Sequence, residues 1–189
     1  MSDKISIRMA KPADADALLQ IYAPYVRHTA ITFEYDVPDT DEFAGRITRT
    51  LERYPYLVAE KDGMILGYAY ASPFKERAAY DWAVETSIYV KQDLRRSGIG
   101  RKLHDRLEEI LRKQNICSMC ACIAYASEED AYLSNDSVYF HEKLGYRMVG
   151  QFQKCGYKFK RWYDMVWMEK HIGVHESDQK PVIPIGELK

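Results

Sequence analysis

The sequence lacks several features that mark specialised classes of protein. No apolar run approaches the length of a bilayer span, and Met1 to Lys4 do not show the charged-then-apolar order of a signal peptide. The 27 basic and 28 acidic residues nearly cancel, which argues against a dedicated nucleic-acid or membrane-surface protein. We therefore expect a cytoplasmic protein with no nucleic-acid or membrane partner.

Cysteine is scarce and is not spaced as in a disulfide framework. Cys117, Cys120 and Cys122 lie in one short segment, and Cys155 stands apart. The Cys117-x-x-Cys120 spacing occurs in zinc sites, but the surrounding run is apolar and no second ligand pair follows. We therefore predict buried thiols and no metal site.

The 189 residues, 47% of them hydrophobic, suffice for one globular domain with a full core. Hydrophobic spacing predicts alternating strands and helices. The predicted strands are Ile5 to Arg8, Tyr56 to Glu60, Met64 to Ser72, Trp82 to Val90, Cys117 to Tyr125, Arg147 to Cys155 and Trp162 to Glu169. The predicted helices are Asp14 to Val26, a segment after Pro38-Asp39-Thr40 capped by Thr40 or Asp41, Ile99 to Leu111, and Ser137 to Leu144. Residues 1–172 are the predicted domain; residues 173–189 are a tail that packs as an arm or stays mobile.

A glycine-containing loop, residues 95 to 101, connects a predicted strand to a predicted helix. Unpaired N–H groups at a helix start bind phosphate, the glycines let the backbone approach closely, and Arg95 and Arg96 can add charge-assisted bonds. The Walker string is absent, and a dinucleotide fingerprint requires glycine where Leu103 stands. From the loop alone, an ordinary glycine turn with solvated arginines is an equally good interpretation.

Longer strings resemble a known family. Residues 95 to 100, Arg-Arg-Ser-Gly-Ile-Gly, match the Arg/Gln-x-x-Gly-x-Gly/Ala motif with which the GCN5-related N-acetyltransferase (GNAT) superfamily holds the pyrophosphate of coenzyme A. The order strand, loop, helix, strand and a helix ending in Gly145-Tyr146 is also that of the superfamily. ITFEYD, PFKERAAYDWAVETSIYV and SNDSVYFHEKLGY resemble the phosphinothricin acetyltransferase branch, which acetylates phosphinothricin, methionine sulfone and methionine sulfoximine. The resemblance covers about residues 4 to 170.

The resemblance implies a mixed α/β (α+β) domain with a mostly antiparallel, centrally splayed sheet flanked by helices. It also implies acetyl-CoA as cosubstrate, no metal, a small amino-acid substrate, and a homodimer formed through the last strands and the tail. The aromatic-rich segment FKRWYDMVW fits either a dimer interface or a monomer core. Two other classes stay open: an acetyltransferase of protein N-termini, and a CoA-binding module without catalytic activity.

Glu85 is the predicted general base. An amine is mostly ammonium at neutral pH, so acetyl transfer needs a base that frees its lone pair. Glu85 lies among Val84, Thr86, Ile88 and Val90, where a partly apolar site would raise the pKa of a carboxyl. A solvated strand face or an arginine partner is the alternative, and the resemblance, in which the matching glutamate is implicated in catalysis, favours the base.

His141 stands four residues before Gly145, where many superfamily members carry a tyrosine. A histidine there can donate a proton to the leaving thiolate or orient the amine, while a helix-surface histidine is the alternative interpretation. Tyr139 is the second predicted donor.

The resemblance also implies binding residues. One group that binds the cofactor is the backbone of a strand that bulges and splays from its neighbour, at Ser87, Ile88, Tyr89 and Val90. The others are the loop residues Arg95, Arg96, Ser97, Gly98, Ile99, Gly100 and Arg101, together with Asn135 and Ser137. For the substrate they are Phe33 and Glu34 in a lid, and Lys75, Arg77 and Tyr80 beside Trp82. Phe33 and Trp82 fit a core position equally well, and an ordinary charged loop is the preferred interpretation for Lys75.

Overall fold

The computed structural model of the protein describes residues 5–188. The described residues do not include Lys189 or Met1 to Lys4. The signal-peptide expectation rests on Met1 to Lys4 and therefore lies outside the described residues. The strands are β1 (Ser6–Met9), β2 (Tyr56–Lys61), β3 (Met64–Pro73), β4 (Ala83–Val90), β5 (Ser118–Tyr125), β6 (Arg147–Lys158) and β7 (Arg161–His171). The helices are α1 (Ala15–His28), α2 (Thr40–Leu51), α3 (Ile99–Lys113) and α4 (Asp136–Lys143). Every predicted strand and helix is therefore present, and the largest difference is that β6 continues beyond Cys155 to Lys158.

Local sequence signals account for several of these elements. Asp62 and Gly63, between β2 and β3, have φ angles of 50° and 78°, as a tight hairpin turn requires. The apolar stripe of α3 is fully buried at Leu103 and Leu111. Gly145 has a φ angle of 91°, which ends α4 in the left-handed conformation that glycine adopts without strain.

The predicted caps of α2, Thr40 and Asp41, are wrong. Asp39 is the N-cap, and its carboxylate accepts a hydrogen bond of 2.8 Å from the Glu42 backbone N–H. Thr40 and Asp41 instead lie in the first turn, where a negative Asp41 is stabilised by the helix dipole. The helix therefore begins one position earlier in the Pro-Asp-Thr-Asp run than side-chain preference alone suggested.

Contacts divide the chain into two compact units. Among the described residues, the first comprises 5–21, 38–119 and 171–188, and the second comprises 22–37 and 120–170. In the first unit β1, β2, β3 and β4 are antiparallel neighbours in that order. In the second unit β5, β7 and β6 are neighbours in that order, and β6 and β7 are antiparallel. These antiparallel pairings agree with the predicted mostly antiparallel sheet.

Each unit has its own buried apolar residues. In the first unit, β2 and β3 contribute Leu57, Val58 and Tyr68, all almost fully buried. In the second unit, a cluster is formed by residues from the α1–α2 loop, β5, the segment after β5 and β7: Ala30, Ala124, Ala126, Leu133 and Tyr163. Close packing in these cores restricts the motion of the strands and loops that carry the predicted site residues.

The tail packs as an arm on the first unit. The buried amide of Gln114 donates hydrogen bonds to the carbonyl oxygens of Arg53 (2.8 Å) and Ile183 (2.7 Å). The Trp82 indole N–H donates to the Lys180 carbonyl at 2.7 Å, and the Asn115 amide donates to the Pro181 carbonyl at 2.8 Å. Of the two predicted alternatives for the tail, a packed arm and a mobile segment, these hydrogen bonds support the packed arm.

Residues 5–188 contain no helix that is both long and apolar enough to cross a membrane. In the same range, no group of three or more His, Cys, Asp or Glu residues has a metal-binding arrangement. Cys117 and Cys120 are buried free thiols, and burial raises the pKa of Cys117. Cys122 and Cys155 are exposed free thiols.

Candidate active site

Glu85 lies in β4, opposite Ser72 of β3, and its side chain is partly buried. Burial raises the pKa of the Glu85 carboxyl, and the nearby positive charge of Lys75 lowers it in part. A carboxylate in such surroundings holds a proton more tightly than one in water, which is what a general base for an ammonium substrate needs. Its electrostatic partner is thus a lysine, not the arginine that the alternative interpretation named.

The loop from Phe74 to Trp82 carries the predicted substrate-binding cations. Lys75, Arg77 and Tyr80 are exposed, and the Lys75 ammonium lies 5.0 Å from the centre of the Phe74 ring. The Tyr80 ring meets the same Phe74 ring edge-on, with 5.8 Å between the centres. An ammonium and a phenol are thus next to one aromatic ring, in the loop that leads into β4.

The other end of this loop is anchored. Asp81 forms an ion pair of 2.8 Å with Arg53, and Trp82 binds the tail through its indole N–H. Trp82 is only partly buried, so the core interpretation does not describe it, and its polar edge is hydrogen-bonded to the Lys180 carbonyl. The sequence contained no local signal for this partner, which lies 98 residues away.

The glycine loop leads into α3 through two residues with positive φ, Arg96 (65°) and Gly98 (84°). Gly98 is the N-cap of α3 and has no side chain, so no N-cap side chain competes with a ligand for the first N–H groups of the helix. A Cβ added at Gly98 would meet no heavy atom within 4 Å. Ser97 binds back to the Leu94 carbonyl through its hydroxyl at 2.6 Å, which stabilises the turn.

The other loop residues differ in what they can offer a ligand. Ile99 is buried in the core and can contribute only its backbone, and Gly100 is partly buried. The remaining predicted residues are exposed: Arg95, Arg96, Ser97, Gly98 and Arg101. A helix start bordered by exposed arginines has the chemistry of a pyrophosphate cradle.

The β4 backbone at Ile88, Tyr89 and Val90 is paired with Ala69, Tyr68 and Gly67 of β3. This pairing runs from Val84 to Val90 without a register shift, so the implied bulge does not lie on the β3 edge of that segment. In an antiparallel pair alternate residues direct their N–H and C=O groups away from the partner strand. Half of the backbone groups of β4 therefore point away from β3.

His141 lies in α4 of the second unit and is only 6% exposed, so the helix-surface interpretation does not describe it. Its ring meets Phe140 and Tyr146 edge-on, with centre distances of 5.3 and 4.9 Å. The Nδ1 atom lies 2.7 Å from the Ser137 carbonyl oxygen. Because a carbonyl only accepts, Nδ1 carries the proton, and Nε2 of the neutral ring has a free lone pair.

Burial lowers the pKa of His141, and the hydrogen bond to Ser137 opposes this in part. The neutral ring is therefore the stable form at neutral pH. Tyr139, the second predicted donor, is 53% exposed. Ser137 is partly buried, and its backbone carbonyl serves to fix the His141 ring.

Asn135 has a structural role that sequence reasoning missed. Its side-chain oxygen accepts from the Ala126 N–H at 3.1 Å, and its amide donates to the Ala126 carbonyl at 2.9 Å. Its own N–H donates to the Glu129 carboxylate at 2.8 Å. The residue is buried and closes the loop after β5. The contact of Asn135 with the cofactor stays a prediction, and one amide hydrogen is left for it.

The predicted lid residues Phe33 and Glu34 lie between α1 and α2 in the second unit. Phe33 is partly buried, packs against the cluster around Leu133, and rests on the bare backbone of Gly156, where a Cβ would overlap the ring. Glu34 lies close enough to Lys158 for its charge to raise the pKa of that lysine, which burial lowers. Lys158 is absent from the predicted set, because nothing in the sequence distinguishes it from the exposed Lys154 and Lys160.

Comparison with known proteins gives one matching family model and several similar proteins. The acetyltransferase (GNAT) domain model matches residues 7–167. The chain is 34% identical to a phosphinothricin N-acetyltransferase of Streptomyces viridochromogenes, over 97% of this chain and 96% of that protein. It is 33% identical to an L-methionine sulfoximine/L-methionine sulfone acetyltransferase of Salmonella typhimurium, over 92% and 98% of the two chains.

Among solved structures, the fold is similar to that of a GNAT superfamily phosphinothricin acetyltransferase from Sinorhizobium meliloti in complex with acetyl-CoA. The TM-score is 0.84 at 31% identity, and the match covers 98% of each chain.

Proposed function

Because the chain belongs to the acetyltransferase (GNAT) family, we propose that it transfers the acetyl group of acetyl-CoA to the amine of a small free amino acid such as phosphinothricin, methionine sulfone or methionine sulfoximine. The family match and the N-acetyltransferase relatives confirm the predicted enzyme class, and the structural neighbours confirm the predicted fold class. The observation that carries the proposal is the partly buried Glu85 carboxyl, whose pKa is raised above the ordinary value.

In the proposed reaction Glu85 accepts a proton from the substrate ammonium, directly or through a water molecule. The freed nitrogen lone pair attacks the thioester carbonyl carbon, and the C=O electron pair moves to oxygen. A backbone N–H of β4 that points away from β3 stabilises this oxyanion. When the C=O bond re-forms, the C–S bond breaks, the thiolate of CoA leaves with the electron pair and takes up a proton, and the second proton of the nitrogen is lost.

His141 suits the orienting role better than the acid role. Its lowered pKa keeps the ring neutral, and its Nδ1 proton is engaged with Ser137, so Nε2 accepts a hydrogen bond. An N–H of the substrate is a matching donor. The proton for the leaving thiolate then comes from another source, and the exposed Tyr139 is the remaining candidate of the predicted pair.

The substrate preference follows from the exposed cation and phenol of the loop before β4. Arg77 and Tyr80 can donate hydrogen bonds to a carboxylate or to an oxygen-rich side-chain head. Once such donors are covered by substrate, leaving them without an acceptor is costly, so an alkyl side chain of equal length is rejected. Acetyl-CoA is held at the other end of β4 by the loop from Arg95 to Arg101.

The deciding experiment compares kcat/KM for phosphinothricin, methionine sulfone, methionine sulfoximine, methionine and norleucine, together with a short peptide that has a free N-terminus. We expect an oxygen-headed amino acid to lead, and Arg77→Ala to erase most of its advantage over norleucine. Arg46→Ala, at an arginine of α2 paired with Glu42, is the matched control and should keep the preference. A lead for the peptide would establish the protein N-terminus activity instead, and tight acetyl-CoA binding without any acceptor would favour a binding module.

The proposal includes a homodimer and a cytoplasmic location, where acetyl-CoA is available. Several large apolar side chains of β6 and β7 are exposed in the single chain, among them Phe152 (58%) and Trp162 (59%). Exposed apolar residues grouped on one hairpin are typical of an interface between subunits. Sedimentation velocity should give a dimer for the wild type and a monomer for Phe152→Glu, and a monomeric wild type would contradict this part of the proposal.

A further inference from the structure

Lys158, near the end of β6, is only 3% exposed, although lysine is among the residues least often buried. Its ammonium donates hydrogen bonds of 2.8 Å to the carbonyl oxygens of Val26 and Thr32. Val26 lies in the last turn of α1, and Thr32 lies in the loop between α1 and α2. One buried cation thus joins the end of a helix to the loop that follows it.

The Val26 carbonyl needs this donor because of how α1 ends. In a continuing helix the N–H of Ala30 would bind it, but the Ala30 N–H donates to the Tyr132 carbonyl at 3.0 Å instead. The carbonyl groups at a helix end carry the negative pole of the helix dipole, so an ammonium is a favourable substitute for the missing N–H. Lys158 therefore replaces the backbone donor that the loop has drawn away.

The two residues before Lys158 hold the same loop. The Phe33 ring rests on Gly156, whose lack of a Cβ leaves room for it. The Tyr35 hydroxyl donates a hydrogen bond to the Tyr157 carbonyl. The consecutive β6 residues 156–158 thus contact the loop at three points, and Glu34 lies between two of them.

We propose that Lys158 is a positioning residue for substrate recognition, which fixes Phe33 and Glu34 by tying the α1–α2 loop to α1 and β6. The inference rests on the proposed function, because it takes this loop to be the lid over an amino-acid substrate. Lys158 itself does not touch the substrate, since its ammonium is buried beneath the loop and engaged with two backbone carbonyls.

Removal of the ammonium should release the loop. Without Lys158 two carbonyl oxygens are left buried without their donor, a state that proteins avoid by admitting water. We expect water to replace the ammonium at these carbonyls by a movement of the loop away from β6, and Phe33 and Glu34 then move with it. The pyrophosphate loop belongs to the other compact unit, so acetyl-CoA binding should be unaffected.

The test compares Lys158→Met with Lys160→Met, the same substitution at an exposed lysine two residues further on. For Lys158→Met we expect the KM of the best amino-acid substrate to rise about tenfold or more, because charge-assisted hydrogen bonds are lost. The kcat and the Kd for acetyl-CoA should stay within about threefold of the wild type, and Lys160→Met should match the wild type in all three. An unchanged KM for Lys158→Met would overturn the proposal.

Hydrogen exchange of residues 29–37, measured without any substrate, tests the clamp separately from the reaction. Exchange should be faster in Lys158→Met than in the wild type and in Lys160→Met. Faster exchange with an unchanged KM would overturn the role in recognition while leaving the clamp in place. If the wild-type enzyme acetylates no free amino acid, the proposed function fails and the recognition role fails with it, whatever the exchange data show.

Tyr35→Phe provides a second variant that does not disturb the core. Tyr35 is 66% exposed, so its hydroxyl can be removed without leaving a cavity, and only the bond to the Tyr157 carbonyl is lost. A smaller rise in KM, about threefold, with slightly faster exchange of the loop is expected because this bond joins neutral groups. If Lys158→Met does not fold, Tyr35→Phe decides alone. A wild-type KM and a wild-type exchange rate of the loop in Tyr35→Phe would then contradict the proposal.

Discussion

Gly98 offers a direct test of the pyrophosphate loop, because two of its substitutions differ only in charge. Its φ of 84° and ψ of −3° lie in the left-handed region, which Asn and Asp tolerate better than other non-glycine residues. A Cβ at Gly98 meets no heavy atom within 4 Å, so the first atom of either side chain has room. Gly98→Asn and Gly98→Asp should therefore fold equally well and share the same strain, about 1 kcal/mol.

The difference between the two variants is the repulsion between one carboxylate and the pyrophosphate. Two phosphate charges about 5 Å from a carboxylate in water cost about 1.5 kcal/mol at low ionic strength. Since about 1.4 kcal/mol corresponds to a factor of ten in affinity, Gly98→Asp should bind acetyl-CoA about tenfold more weakly than Gly98→Asn. Relative to the wild type the loss should be well over tenfold, because the new side chain also occupies the space in front of the helix N-terminus.

Calorimetric titration with acetyl-CoA at low salt and at about 0.5 M salt measures this difference, and screening should shrink it at the higher salt. Thermal unfolding of the apo proteins checks that the two variants are equally stable. Equal affinities of the Asp and Asn variants at low salt would show that the pyrophosphate binds elsewhere. A salt-independent difference would point to a change of loop conformation in place of the predicted repulsion.

Four further predictions concern Glu85, His141 and Trp82. Glu85→Gln should lower the acetyl-transfer rate at neutral pH about 10²-fold or more, with a smaller loss as pH rises and free amine becomes abundant. The raised pKa of Glu85 means that the folded state holds this proton more tightly than the unfolded state. The wild type therefore loses stability as pH rises above about 4.5. In denaturant titrations Glu85→Gln should be more stable than the wild type at pH 7 but not at pH 4. The lowered pKa of His141 has the opposite sign, so wild-type stability should fall as pH drops below about 6.5, and His141→Gln should flatten this slope; equal slopes would refute a buried neutral histidine. Trp82→Phe removes the hydrogen bond to Lys180 and should speed proteolysis of the tail without unfolding the domain; an unchanged proteolysis rate would show that this bond does not hold the tail.

Much of the fold could be predicted because the deciding interactions are local. The hairpin at Asp62 and Gly63 follows from two residues that accept positive φ angles. The helix from Ile99 follows from apolar residues three and four positions apart. The glycine loop and Glu85 could likewise be selected as candidates, because motif order and strand position are properties of the sequence.

The burial and protonation state of the candidate residues could not be predicted in the same way. Whether Glu85 is solvated or buried and whether His141 lies on the helix surface or in the core were left open by alternation and helix spacing. The structure decides both, because burial depends on tertiary packing, which the spacing of residues along a strand or helix does not specify. The same holds for Asn135, whose amide finds both of its partners in the backbone of Ala126.

Lys158 shows this limit most clearly. The sequence by itself determined that a lysine follows a glycine and a tyrosine near the end of a strand, a pattern typical of an exposed hairpin. Only the tertiary structure brings the Thr32 carbonyl, 126 residues away, and the Val26 carbonyl, 132 residues away, within hydrogen-bonding distance of its ammonium. Local periodicity is set by neighbours within about four positions, whereas a buried charge is tolerated only where distant backbone groups converge to satisfy it.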